Sequence, residues 1–124
     1  MLNRLSINNY ALIDELSIDL KTGFTAITGE TGAGKSILIS ALGLILGKRA
    51  DFKAIANIDK KCIVEGEFNI ANYNLESFFE NNDLDFINPT LIRREITPAG
   101  RSRAFVNDTP VSLNQLKELA SFLI

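Results

Sequence analysis

The chain has 124 residues, 46% hydrophobic and 23% charged, a globular balance that excludes a disordered tail and allows one domain with a modest core. Its formal net charge of −2 gives no bulk positive field for nucleic acid, so any DNA contact needs a local patch or more protein. A single cysteine, Cys62, and no histidine exclude an internal disulfide and a Cys/His zinc set, and suit a reducing cytoplasm.

Residues 1–10 lack the apolar core and cleavage site of a signal peptide. Leu5 and Ile7 alternate with polar neighbours until Asn8 and Asn9 interrupt, and Leu16, Ile18 and Leu20 alternate again. Both stretches predict half-buried strands. Gly23 makes a turn, and the β-prone run 24–28 predicts a third strand leading into a glycine-rich loop, residues 29–34. From Gly34 to Leu46 the sequence is dense in Leu, Ile and Ala, without proline. Apolar residues fall all round this predicted helix, so burial on most sides is expected. Gly47 is the expected stop, with Lys48 and Arg49 beside the negative helix end. The uncharged stretch 36–47 is too short for a bilayer, which needs about 20 residues.

Farther along, Cys62, Val64, Gly66, Phe68 and Ile70 alternate with polar residues and predict a strand with one wet face. Asn74 is a candidate cap for a short helix through Phe79, ended by Asn81 and Asn82. Residues 91–97 and 102–106 predict strands joined by a turn at Pro98-Ala99-Gly100, with a second turn at Asn107-Asp108. Ser112 and Gln115 fit a capping box ahead of a helix with Leu116, Leu119, Ala120 and Leu123 on one face. No internal repeat, low-complexity segment or linker divides residues 1–124, so they read as one unit. The apolar final residues suggest the front piece of a longer protein.

Gly29-Glu30-Thr31-Gly32-Ala33-Gly34-Lys35-Ser36 matches the pattern Gly-x-x-x-x-Gly-Lys-Ser/Thr of a phosphate-binding P-loop. A triphosphate needs many donors close together and no side chains in the way. Glycines at 29, 32 and 34 let main-chain N–H groups turn inward, and the following helix directs its positive end at the anion. The loop N–H groups from Thr31 through Gly32, Ala33, Gly34, Lys35 and Ser36 are the candidate cradle. Lys35 supplies charge to the β- and γ-phosphates, and the Ser36 hydroxyl is a candidate Mg²⁺ ligand. A chance match in this length is on the order of one in a few hundred. Glu30 would repel phosphate unless it points away, so it receives no catalytic role.

The same loop, followed by Ala41-Leu42-Gly43-Leu44-Ile45-Leu46-Gly47-Lys48-Arg49-Ala50, resembles the RecN family. So do Leu91-Ile92-Arg93-Arg94-Glu95-Ile96, Gly100-Arg101-Ser102-Arg103-Ala104-Phe105-Val106-Asn107, Val111-Ser112-Leu113 and Leu116-Lys117-Glu118-Leu119, in that order. The resemblance covers essentially the whole chain. Asp108 departs from it, since the family usually has glycine there; aspartate tolerates a left-handed turn, so the turn is weakened and not excluded.

The resemblance implies an α/β P-loop NTPase, part of an ABC/SMC-type head, with a mixed sheet around the P-loop helix and an antiparallel β part. It implies ATP and Mg²⁺ as cofactors and ATPase activity in the full-length protein. Two heads would sandwich ATP as a homodimer, acting on DNA in double-strand break repair and recombination, in the cytoplasm at the nucleoid and with no membrane partner. It also implies nucleotide contacts from Asn9 and Tyr10, for which an ordinary turn with the tyrosine packed on the rim is the alternative, and reach toward nucleotide or DNA from Arg49, for which a solvated cation at the helix end is the alternative. A catalytic glutamate after a Walker B strand, a signature motif and coiled-coil heptads are not in these 124 residues, and the family's glutamine-bearing loop would follow Ile124. The fragment alone is therefore expected to be nearly inactive.

Other readings stay open: another P-loop enzyme such as a transporter-type ABC ATPase or a small kinase, or a non-catalytic nucleotide-binding or head-docking module. Arg93, Arg94, Arg101 and Arg103 are a candidate DNA-phosphate patch, against salt bridges with Glu65, Glu67 or Glu95. Phe78, Phe79 and Phe86 sit among acidic residues and read as core, not as a base-stacking platform.

Overall fold

A computed structural model describes residues 2–11, 13–19, 32–50, 57 and 59–123, with helix side chains from Ser36 onward. The strands are β1 (Leu2–Tyr10), β2 (Ile13–Asp19), β3 (Cys62–Phe68), β4 (Thr90–Ile96), β5 (Ser102–Val106) and β6 (Thr109–Val111). The helices are α1 (Gly32–Ile45), α2 (Glu76–Asn81) and α3 (Leu113–Leu123). The six strands form one sheet in the order β2-β1-β3-β4-β5-β6, and every pairing is antiparallel. The strand expected at residues 24–28 lies outside the described residues.

Period-two alternation gives the sheet two different faces. Leu5 and Ile7 pair across to Ile18 and Leu16 of β2 and to Gly66 and Val64 of β3. Cys62, Val64, Gly66 and Phe68 are buried on the same face, as are Ile92 and Ile96 of β4 and Ala104 and Val106 of β5. The helices cover this face: α1 packs over β3, β4 and β1, and α3 against β5. Gly66 admits this close approach, because a Cβ there would collide with the Cδ1 of Ile45 on α1.

α1 begins at Gly32, inside the loop motif, and not at Gly34 as the sequence suggests. Its burial is one-sided. Leu38, Ala41, Leu44 and Ile45 are buried, but Ile39 is 51% exposed and Ser36 and Ser40 are exposed. Expected burial on most sides is thus corrected: among the described residues the sheet covers one flank only. The stop at Gly47 is as expected. Its φ of 96° lets Gly47 N–H bond Leu44 O at 3.3 Å and Lys48 N–H bond Gly43 O at 3.0 Å, a Schellman closure.

The capping box also forms. Gln115 N–H donates to Ser112 Oγ at 3.1 Å, and Ser112 N–H donates to Gln115 Oε1 at 2.8 Å. Asn74 does not cap α2; Leu75 holds that position with no side-chain cap bond. Asn74 instead adopts φ 54° in the preceding turn. Phe78 and Phe79 are core. Phe86 is not: it is 42% exposed, with its ring edge-on to Phe79 at 5.2 Å.

Candidate phosphate-binding site

Gly29, Glu30 and Thr31 lie outside the described residues. Gly32, Ala33, Gly34 and Lys35 form the first turn of α1, and Ser36 follows them on the same helix. The first four N–H groups of an α-helix have no intrahelical acceptor. The motif's second half therefore supplies a row of main-chain donors at the positive helix end, the arrangement that favours an oxyanion. Ser36 is exposed, and its hydroxyl is the hard oxygen donor that Mg²⁺ prefers. Among the described residues, no cluster of His, Cys, Asp or Glu could hold a metal. A magnesium ion here would share its shell between the serine, water and phosphate oxygens, its usual mode at nucleotide sites.

Asn9, next to last in β1, has φ 57° and is 5% exposed. Its Nδ2 donates to Asn57 O at 2.9 Å, Lys60 O at 3.0 Å and Lys61 O at 3.3 Å. Its Oδ1 accepts from Asn57 N–H at 2.7 Å. The amide is thus committed to holding the main chain at Asn57, Lys60 and Lys61, a role the sequence did not suggest. Tyr10 is 8% exposed and joins the core. Arg49 follows the α1 closure, exposed.

The four arginines of the candidate patch do not share a face. Arg93 lies on the open side of the sheet, bonding Glu95 Oε2 at 3.0 Å and Asp108 Oδ1 at 2.8 Å, with its guanidinium 4.4 Å from the centre of the Phe105 ring. Burial pulls its pKa down, but the Asp108 bond and the charges of Glu95, Asp108 and Glu65 outweigh this and leave it raised. The salt-bridge alternative holds for Arg93. Arg101 and Arg103 are exposed, and Arg103 stands across from Glu95.

Arg94 points the other way and is 1% exposed. Its Nη1 donates to Leu44 O at 2.8 Å and to Lys48 O at 2.7 Å. Its Nε and Nη2 donate to Ser102 Oγ at 3.0 and 2.6 Å. No ion pair reaches it among the described residues, and burial lowers its pKa. The carbonyls at the negative end of α1 carry the compensation. The signal was present in the sequence: Ile92, Arg94 and Ile96 share a face by alternation, so Arg94 belongs to the core and not to a surface patch.

A family model described as an AAA domain matches residues 4–121. The chain belongs to the AAA domain family. Within it, the chain is 48% identical over 125 residues to DNA repair protein RecN of Vibrio cholerae serotype O1, covering 100% of this chain and 23% of that protein. It is 44% identical over 130 residues to DNA repair protein RecN of Haemophilus influenzae, again covering 100% and 23%. This AAA chain thus spans 23% of the length of these relatives. A solved structure described under ATP-driven dimerization and DNA stimulated activation of SMC ATPases superposes with a TM-score of 0.70 at 21% identity, covering 98% of this chain and 78% of that one. The AAA domain therefore has an SMC-type fold, as its RecN-like motifs imply. No described helix is long and apolar enough to cross a membrane.

Proposed function

We propose that residues 29–36 bind Mg·ATP. The reading is carried by one observation: α1 starts within the motif, at Gly32, so the N–H groups of a helix terminus that lack an intrahelical acceptor fall inside the glycine-rich part of the motif, just ahead of Lys35. The loop N–H groups from Thr31 to Ser36 hold the β-phosphate, Lys35 neutralises the β- and γ-phosphates, and Ser36 ligates Mg²⁺. Arg49, exposed just past the helix, offers a further cation to the nucleotide. Tyr10 and the main chain of Asn9 complete the proposed contacts, since the Asn9 amide is already engaged.

In the whole protein, these residues serve an ATPase that acts in DNA double-strand break repair and recombination, with two heads of a homodimer enclosing ATP and engaging DNA. The RecN relatives and the SMC-type fold support this reading. It places the protein in the cytoplasm, at the nucleoid. Residues 1–124 then form the amino-terminal part of the head, a nucleotide-binding module with little hydrolysis of its own, because the groups that activate water lie elsewhere. Calorimetric titration with Mg·ATP tests the binding. Saturable heat that Lys35→Ala abolishes without loss of fold is expected; equal binding by Lys35→Ala contradicts the reading.

A further inference from the structure

Arg94 is the largest of the fully buried side chains among the described residues. It sits on the face of β4 between Ile92 and Ile96, where an apolar residue of similar volume would pack. Replacing a buried ion pair by well-packed hydrophobes is often neutral or stabilising, but two partners of Arg94 are main-chain carbonyls that a substitution here would leave behind. What the guanidinium adds is direction. Its four hydrogen bonds join three separate stretches of chain: the last turn of α1, the segment at Lys48, and Ser102 on β5. Apolar burial is non-directional, whereas a planar fork fixes its partners in both angle and distance.

We propose that Arg94 is a positioning residue for the phosphate site: it pins the end of α1 opposite the cradle, and with it the main chain that presents Arg49. The proposal rests on the reading of residues 29–36 as a phosphate loop. α1 has 14 residues and is a rod about 21 Å long, so slip or rotation at Leu44 is carried to the donors at Gly32. Binding constellations need placement within about 0.5 Å, and a misplacement of about 1 Å can cost on the order of 100-fold in function. Lys48 O is the carbonyl immediately before Arg49, so the same guanidinium sets where the Arg49 side chain departs.

The test is Mg·ATP affinity in the full-length polypeptide, measured well below each variant's own melting temperature. Arg94→Met fills the volume without the fork and should raise Kd about tenfold in folded protein. Arg94→Lys, which keeps one cationic donor, should recover part of that loss. Ser102→Ala removes the support of the guanidinium from an exposed position and should raise Kd about threefold, which keeps the proposal testable if Arg94→Met does not fold. A residue with a merely structural role would lower the melting temperature and leave Kd unchanged. Wild-type Kd in folded Arg94→Met, or in Ser102→Ala where Arg94→Met does not fold, overturns the proposal while the phosphate loop stands, provided Lys35→Ala loses binding. Absence of Mg·ATP binding by the wild type overturns both.

Discussion

The guanidinium of Arg94 donates from Nη1 to the carbonyl oxygen of Leu44, 2.8 Å away and 50 residues earlier in the chain. A side chain of β4 thereby closes the helix that begins in the phosphate motif. Loss of the fork in Arg94→Met leaves the Leu44 and Lys48 carbonyls without this partner. Leu44 O keeps its bond from Gly47 N–H, so the loss is that of one unsatisfied carbonyl, about 1–3 kcal/mol in urea unfolding. The better packing of methionine offsets part of this loss, and a gain in stability would show that the guanidinium is a burden at this position.

Asn9 tests the ordering of the 57–61 stretch. Asn9→Asp keeps an acceptor for Asn57 N–H but has no donor for the carbonyls of Asn57, Lys60 and Lys61. A carboxylate facing carbonyl oxygens is expected to lower stability by about 2–3 kcal/mol. Amide hydrogen exchange should speed up at residues 57–61 first. Unchanged protection there would refute this role of the Asn9 amide.

Asp108 occupies a left-handed position, φ 66°, beside Asn107 at φ 48°, and its carboxylate is 2.8 Å from Arg93 Nη1. Glycine would relieve about 1 kcal/mol of backbone strain but forgo an ion pair with an exposed partner, worth about 0–1 kcal/mol. Asp108→Gly should therefore change stability by less than about 0.5 kcal/mol, and Asp108→Val should lower it by more than about 1 kcal/mol. Thermal melts of the two variants compare the effects directly; equal melting temperatures would contradict this account of the turn.

Burial pushes the Cys62 thiol up from its ordinary 9.0 to about 11. The folded state holds this proton more tightly than the unfolded chain, so the contribution is fully present below pH 9 and is lost as pH rises toward about 11. The expected slope is about 1.4 kcal/mol per pH unit between those values. Urea midpoints of the wild type and Cys62→Ala, followed from pH 8 to 11, should converge as pH rises. Parallel curves would mean that the thiol ionises normally in the fold.

Much of this architecture was legible because it rests on local chemistry. The left-handed tolerance of Asn107 and Asp108 marks the β5–β6 turn, Ser112 and Gln115 mark the start of α3, and Gly47 marks the end of α1. Strand faces followed from alternation alone. What local pattern could not supply was long-range pairing. Asn9 reads as a strand breaker until its amide is seen to meet carbonyls about 50 positions away. The inward face of Arg94 follows from its alternation with Ile92 and Ile96, but its partners at Leu44, Lys48 and Ser102 do not. Ile39 reads as core because composition shows an apolar helix without showing how many of its sides are covered. The loop motif at residues 29–36 is the opposite case: its spacing announces the chemistry, and the structure contributes a helix start inside it, at Gly32.

The most direct measurement of nucleotide binding at this loop is the change in backbone amide resonances on titration with Mg·ATP. Saturable shifts largest at Gly32, Gly34, Lys35 and Ser36, and lost in Lys35→Ala, are the expected result. No saturable shift at those amides, or a dominant response on the open sheet face around Arg93 and Glu65, would contradict it.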